Sequence, residues 1–358
     1  MSIHFHPLRI SSIRQETPEC ISVVFDIPED LQQQFKFTQG QSLTMRKTIA
    51  GEEVRRTYSI CSSPFDQELR VAIKKQEGGL FSGFAHDLLR AGDTLDVMEP
   101  IGKFYTQLDP TQKKNYLAIA AGSGITPVLS LIKTTLATEP YSRFTLVYGN
   151  RNRNAIIFFE ELEAIKNKYL QRFQLIHVLS REKTETLVNS GRINAEKLAQ
   201  LEKLISYSQI DEIFLCGPEE MIFGAKAFLE KKNIDTRKIH FELFTTPGIK
   251  QSQASRASSI APLENKSAIT IKLDGRTFEF ELGLNAGPIL DAALKEGADL
   301  PYACKGGVCC TCKAKLLEGE VEMDVHWGLE DEEIKQGYIL TCQSHPLTDK
   351  VVIDFDIK

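Results

Sequence analysis

Four cysteines near the C-terminal end narrow what this chain can fold into: Cys304-x4-Cys309-x2-Cys312, then Cys342 after a gap of 29 residues. A loop with that spacing wraps three thiolates around a plant-type [2Fe–2S] cluster and leaves a later strand to supply the fourth. Thiolates bind iron strongly, and Gly306 and Gly307 let the backbone approach inorganic sulfur. Cys310 is left over and is expected to point away from the cluster as a small buried residue. The competing readings are a zinc site or a redox pair made of Cys309 and Cys312. Zinc knuckles usually bring two Cys-x-x-Cys pairs, and a redox pair follows a strand and opens a helix. Neither context is present, and the Cys-x-His pairs of a Rieske centre are absent.

The chain has 358 residues, 42% hydrophobic and 25% charged, which predicts two or three ordinary globular domains. Its start, MSIHFHPLRI, lacks a basic segment followed by an apolar run, and no stretch of about 18 apolar residues occurs, so no membrane span is expected. Eight cysteines without an export signal read as ligands or free thiols, and the expected location is cytoplasmic. Residues 267–358 hold 9 Lys and Arg against 17 Asp and Glu, a net charge of −8, which leaves +3 for residues 1–266. An acidic C-terminal unit beside a weakly basic body argues against nucleic acid as a partner.

Residues 248–266 are rich in Ser, Gln, Ala and Pro and read as a linker. Beyond it, ITIKLDGRTFEFEL carries two alternating runs joined by Asp274-Gly275, a hairpin signal, and a short helix follows Pro288. A small sheet covered by one helix, a β-grasp layout, is expected over 267–358. Residues 1–107 show the β-rich runs CISVVFDI, QSLTMR, RRTYSI, LRVAIK and DTLDVM with one helical stretch, SGFAHDLLRAG, and predict an antiparallel β-barrel. From Asn115 strands and helices alternate through 247, which predicts an α/β doubly wound parallel sheet with ligands at the carboxyl ends of its strands.

Two stretches suggest how the first two domains would work. In VRRTYSICSSP, Arg56 can pair with a pyrophosphate, Tyr58 can lie against an isoalloxazine or ribityl chain, and the Ser59 hydroxyl can reach flavin N5. About 20 residues on, Gly78, Gly79 and Ser82 stand at a helix start suited to phosphate. In AAGSGITPVLSL, Gly122 and Gly124 let backbone approach a diphosphate, Thr126 is expected as the helix N-cap and Pro127 as its first residue. Cys216, Gly217 and Pro218 end a later strand, where a nicotinamide could lie. No acid ends the second strand, whereas Arg151 and Arg153, with Arg181 and Lys183 after the third, could hold a 2′-phosphate. NADPH is therefore expected, with NADH the alternative. His177 and His240 lie in strand patterns and are expected in the core.

The order of these parts resembles the ferredoxin–NADP reductase superfamily with a fused C-terminal ferredoxin, and within it the phenylacetate-oxygenase reductase branch. The matching stretches are RRTYSICSSP, GGLFSGFAHDLLRAGDTLDVMEPIGKF, AAGSGITPVLSL, YGNR, HVLSRE, LCGPEEM, YACKGGVCCTC and GLEDEEIKQGYILTCQ. The resemblance implies an FAD-binding barrel over 1–107, with Arg56, Thr57, Tyr58, Ser59, Ile73, Lys74, Lys75, Gly79, Leu80, Phe81 and Ser82 as flavin contacts. A related group binds FMN, and FAD is inferred from the Gly-Gly-x-x-Ser match. It implies an NAD(P) domain over 108–247, in which Gly122, Gly124, Thr126, Pro127, Arg151, Ser180, Arg181 and Cys216–Pro218 contact NADPH. Ser59, Thr126, Cys216 and Phe244 would surround the hydride, with Phe244 covering the flavin face. Cys304, Cys309, Cys312 and Cys342 would hold the cluster.

A hydride donor and a one-electron cluster need a converter between them, and a flavin serves as one. Electrons are thus expected to run from NADPH through FAD and [2Fe–2S] to an oxygenase or hydroxylase component. Acidic Glu318, Glu320, Glu322, Asp331, Glu332 and Glu333 are candidates for docking it. Two alternatives stay open: a supplier for another hydroxylase, desaturase or ring-hydroxylating oxygenase, and a redox sensor that no longer turns over.

Overall fold

The computed structural model describes residues 4–244, 266–284 and 286–357. It divides into two compact units, one comprising residues 5–54 and 58–244, the other built on residues 266–357. The expected linker lies outside the described residues up to 265, and Lys266 already opens a strand.

The first unit begins with β1 (Phe5–Thr17), β2 (Cys20–Asp26), β3 (Ser42–Ile49), β4 (Glu52–Ser59), β5 (Leu69–Lys74) and β6 (Thr94–Met98). They form one sheet in the order β4-β3-β6-β1-β2-β5. A bridge between Ile60 and Val71 brings the end of β4 onto β5 and closes the barrel. The five expected strands are present, but β1, the longest, went unpredicted. Only Leu8 and Ile10 mark its buried face strongly, and Ser, Arg, Gln and Glu fill most of the rest. Leu8, Ile10, Val23, Leu43, Met45, Val71, Ile73 and Val97 are fully buried in the barrel, and burial of each such side chain contributes about 1.5–3 kcal/mol.

Helix α1 (Leu80–Asp87) packs Phe81 into this core. It starts two residues before the expected SGFAHDLLRAG and stops earlier. Gly79 takes the N-cap, while Ser82 lies within the first turn, where its hydroxyl accepts from Gln76 N (3.1 Å) and donates to Gly79 O (3.3 Å).

Next comes strict alternation: β7 (Asn115–Ala121), α2 (Ile125–Thr138), β8 (Arg143–Asn150), α3 (Phe159–Lys168), β9 (Phe173–Leu179), α4 (Ala195–Gln200), β10 (Glu212–Gly217), α5 (Glu219–Lys231) and β11 (Ile239–Leu243). All neighbours pair in parallel, in the order β11-β10-β7-β8-β9. The chain winds one way from β7 to β9 and then crosses to β10, so the topological switch point, where sheets of this kind open a crevice, lies between β7 and β10.

Barrel and sheet are joined by a polar seam along one side of α2. Ser130 Oγ donates to Ser62 O (2.6 Å), Ser63 and Thr134 share hydroxyls at 3.0 Å, and Lys133 pairs with Asp66 (2.5 Å). Residues 130, 133 and 134 share a face because a helix repeats every 3.6 residues. Glu161 of α3 accepts from both Lys133 (2.6 Å) and Arg70 of β5 (2.7 Å). The Arg70 guanidinium also lies 5.2 Å from the Phe158 ring centroid. These bonds place the end of β4 at the carboxyl edge of the parallel sheet.

The second unit is a five-stranded sheet, β13-β12-β18-β14-β16, with β12 (Lys266–Leu273), β13 (Arg276–Gly283), β14 (Lys313–Glu318), β15 (Val321–Met323), β16 (Tyr338–Leu340), β17 (Ser344–Pro346) and β18 (Lys350–Asp354). Strands β15 and β17 pair separately, while α6 (Ile289–Lys295) covers the main sheet and α7 (Asp331–Lys335) precedes β16. The β12–β18 pair is parallel and the others antiparallel, as in a β-grasp. Asp274 (φ +53°) and Gly275 (φ +69°) make the expected two-residue turn.

Candidate functional site

At the end of β4, Ser59 Oγ donates a 2.9 Å hydrogen bond to Glu242 Oε2 of β11. Glu242 pairs in register with Cys216 on β10, and burial pushes its carboxyl up to about 7, opposed only by the Ser59 bond. Burial, then the Glu242 charge, pushes the Cys216 thiol well up, so it stays neutral. Three expected residues, Ser59, Cys216 and Phe244, thus come to one edge with a fourth, Glu242, that sequence reading passed over. Its signal was available: an acid alternating with apolar residues in IHFEL at the end of the last sheet strand. Phe244 follows β11 and is exposed.

Beside them runs the loop after β7. Gly122 (φ +55°) adopts a conformation that disfavours side chains, and its carbonyl accepts from Tyr148 Oη (3.0 Å). At Gly124 the need is space: a Cβ there would lie 2.1 Å from Cys216 O. This close approach packs the start of α2 against the end of β10. The expected N-cap fails here. Gly122–Gly124 already form a 3-10 turn, α2 starts at Ile125, and the Thr126 hydroxyl donates back to Ser123 O (3.0 Å). Pro127 is therefore the third helical residue, where its missing N–H still costs nothing.

The tips of β8 and β9 stay paired past the strands: Ser180 N donates to Asn150 O (2.9 Å) and Arg181 N to Arg151 O (2.7 Å). Arg151 and Arg181, both exposed, and Ser180 therefore stand together. Arg153 instead covers the Phe159 ring at 4.7 Å.

On the barrel, Arg56, Thr57, Tyr58 and Ser59 line the end of β4, and the Tyr58 and Phe81 rings lie 5.8 Å apart. Gly79 opens α1, whose first amides are free for phosphate, and exposed Leu80 follows. Two expectations need revision. The Ile73 side chain is fully buried in the core, as is that of Phe81, so each could offer a flavin only backbone. Lys74 and Lys75 pair with Glu19 (3.6 Å) and Asp87 (2.6 Å). His240 stacks on the Phe214 ring at 5.0 Å and also pairs with Glu212 Oε2 (3.0 Å), and His177 sits between the Tyr148 and Phe159 rings.

In the second unit the sulfurs of Cys304, Cys309, Cys312 and Cys342 interact in pairs. Hydrogen bonds from Cys309 and Cys342, helped by the Gly306 and Val308 amides, hold the Cys304 thiol far below its usual range. The Cys304 sulfur in turn drives Cys309 and Cys342 up. Thr311 Oγ1 lies 3.2 Å from Cys309 Sγ. Four soft donors linked pairwise, on one loop and one later turn, suit a two-iron cluster. Among the described residues no three His, Cys, Asp or Glu are placed around a single metal ion.

Cys310 is half-buried rather than buried; at φ +54° its thiol turns to Gly328 O. Glu333 leaves the expected acidic face. It is buried, accepts from Lys313 Nζ (3.0 Å) and closes a capping box with Glu330 at the start of α7. Glu318 pairs with Lys350 (2.8 Å).

Comparison with known proteins agrees with this layout. Models of an oxidoreductase FAD-binding domain, an oxidoreductase NAD-binding domain and a 2Fe-2S iron-sulfur cluster binding domain match residues 7–105, 118–227 and 271–347. Fold and matches define an oxidoreductase of the ferredoxin reductase type that binds FAD, a nicotinamide nucleotide and a [2Fe–2S] cluster. The chain belongs to the family that includes a subunit of 1,2-phenylacetyl-CoA epoxidase from Escherichia coli (strain K12), to which it is 45% identical over 99% of its own length and 98% of that protein's. It is also 32% identical to the ferredoxin reductase component of 3-ketosteroid-9-alpha-monooxygenase from Rhodococcus rhodochrous, covering 97% of this chain and 96% of that one. Among solved structures, phthalate dioxygenase reductase matches with a TM-score of 0.59 at 22% identity, covering 98% of both chains, and shares the fold. Among the described residues, no helix is long and apolar enough to cross a membrane.

Proposed function

We propose that this protein passes electrons from NADPH through FAD and a [2Fe–2S] cluster to the oxygenase of a phenylacetyl-CoA epoxidase complex. The observation that carries the reading is the meeting of Ser59 with Glu242 and Cys216 at the carboxyl edge of the sheet, where a barrel residue suited to flavin N5 joins the nucleotide crevice. The bound flavin would accept hydride and release single electrons, which is the chemistry the protein residues alone lack.

The residues supply placement and proton control. Gly122 and Gly124 would admit the nucleotide diphosphate, Thr126, Pro127 and Gly217–Pro218 would border the nicotinamide, and Phe244 would cover the flavin face until nicotinamide displaces it. Ser180, Arg151 and Arg181 would hold a 2′-phosphate, which supports NADPH over NADH. Arg56 and the start of α1 at Gly79–Ser82 would hold the flavin pyrophosphate. Glu242, with a carboxyl near neutrality, would take or return a proton at Ser59 Oγ. Cys304, Cys309, Cys312 and Cys342 would ligate iron. The proposed domains are 1–107, 108–247 and 267–358, and eight cysteines with no disulfide between them suit a reducing cytoplasm.

The 45% identity to the epoxidase protein of Escherichia coli supports the phenylacetyl-CoA acceptor; the monooxygenase relatives at 31–32% support a second reading, in which another oxygenase is served. Anaerobic titration of the purified protein with NADPH and then NADH tests the core claim. Flavin and cluster absorbance should both bleach with substoichiometric NADPH. A cluster that stays oxidised would refute the electron path, and activity restored to an epoxidase lacking its reductase would identify the acceptor.

A further inference from the structure

The cluster loop is gripped from behind by a side chain that is not a ligand. Gln343, directly after Cys342, is buried, and its Nε2 donates to Lys305 O (2.9 Å) and to Cys342 O (2.8 Å). A trans peptide points its C=O and N–H in opposite directions, so fixing one fixes the other. The carbonyl of Lys305 is drawn outward to Gln343, and the N–H of the same peptide, on Gly306, faces Cys304 Sγ at 3.2 Å. The pattern repeats two residues on. Gly307 O accepts from Gly328 N (2.8 Å), and the Val308 N–H of that peptide also serves the Cys304 sulfur. Between the two peptides, Gly307 sits at φ +73°, where a Cβ would strike Val325 Cγ2 at 2.7 Å, Val325 O at 2.9 Å and Gln343 Cγ at 3.0 Å. The loop is thus packed against Gln343 as well as bonded to it.

We propose that Gln343 is a positioning residue for the cluster: by holding the Lys305 carbonyl outward it keeps the Gly306 N–H aimed at the Cys304 sulfur, and so sets how readily the cluster accepts an electron. This rests on the reading of Cys304 as a cluster ligand. Hydrogen bonds to ligand sulfur favour the more negative, reduced cluster and raise its potential. Losing the Gln343 grip lets the 305–306 peptide turn and weakens that bond.

The test is Gln343→Met in the full-length protein, which keeps the length and packing of the side chain but removes both donors. Cluster content and the electron paramagnetic resonance midpoint of the cluster are measured beside NADPH-driven ferricyanide reduction, which reports the flavin half. The expected result is a full cluster with a midpoint displaced to more negative potential and unchanged ferricyanide reduction. If this variant cannot hold its cluster, Gln343→Asn, one methylene too short to bond both carbonyls, carries the same expectation. A midpoint equal to wild type in a variant that holds its cluster overturns the role of Gln343. A wild-type protein without a [2Fe–2S] signal would instead overturn the ligand reading, and the inference with it.

Discussion

Ser59 and Glu242 stand 183 positions apart in the chain and 2.9 Å apart in the structure, the hydroxyl donating to a carboxyl that burial has raised to about 7. A carboxyl raised above its unfolded value stabilises the fold fully at acid pH and loses that contribution as pH rises through the folded value. Glu242→Gln should therefore flatten the fall in stability between about pH 4.5 and 7, an effect of up to about 3 kcal/mol. Thermal melts of both proteins across this range measure it, and parallel curves would refute the raised carboxyl. The same variant should lose the inflection near pH 7 in the rate of flavin reduction.

Gly124→Ala places a methyl 2.1 Å from Cys216 O, a contact between two backbones that neither can relieve by rotating a side chain. We expect a loss of about 1–3 kcal/mol and a raised KM for NADPH. Gly122→Ala meets no atom but must hold φ +55°, at about 1 kcal/mol. Equal effects of the two substitutions on KM would argue against the close approach of α2 to β10.

If Arg181 binds a 2′-phosphate, Arg181→Ala should lower kcat/KM for NADPH by about 10–100-fold, the loss of one charge-assisted bond, and leave NADH nearly unchanged. Steady-state kinetics with both nucleotides decide it. Equal losses for the two would place Arg181 elsewhere than at the ribose phosphate.

The cysteines should separate cleanly. Cys342→Ser is expected to abolish or strongly deplete the [2Fe–2S] signal, whereas Cys310→Ser, whose hydroxyl can still donate to Gly328 O, should retain it. Iron content and electron paramagnetic resonance of the two proteins give the answer, and loss of the cluster from the Cys310 variant would redraw the ligand set.

Period and punctuation carried most of the architecture. Strand–helix alternation from Asn115 onward predicts the parallel sheet, and Asp274-Gly275 marks the hairpin, because both depend on local geometry alone. β1 was hidden because it pairs with β2 and β6 through backbone while showing few apolar residues. The grouping of Cys304, Cys309, Cys312 and Cys342 was readable because three of the four lie within nine residues. Glu242 was not, because an acid in a strand gains meaning only when Ser59 arrives from the barrel. Helix starts were misjudged at Thr126 and Ser82 for one reason: in both, a glycine turned the chain earlier and the hydroxyl bonded backward to a carbonyl.

The polar seam along α2 also has a bearing on synthesis. Its partners are separated by 68 residues for Ser62 and Ser130 and by 91 for Arg70 and Glu161. The barrel leaves the ribosome with Arg70 paired to Glu68 (3.2 Å) but still lacking Glu161, and with Asp66 and Ser63 still lacking Lys133 and Thr134. Growth of the chain through α2 and α3 supplies these three partners, and emergence of Glu242 then completes the edge at Ser59. Translation order alone thus withholds the Ser59–Glu242 contact from the nascent chain until more than two hundred residues have been made, well before Cys304 appears.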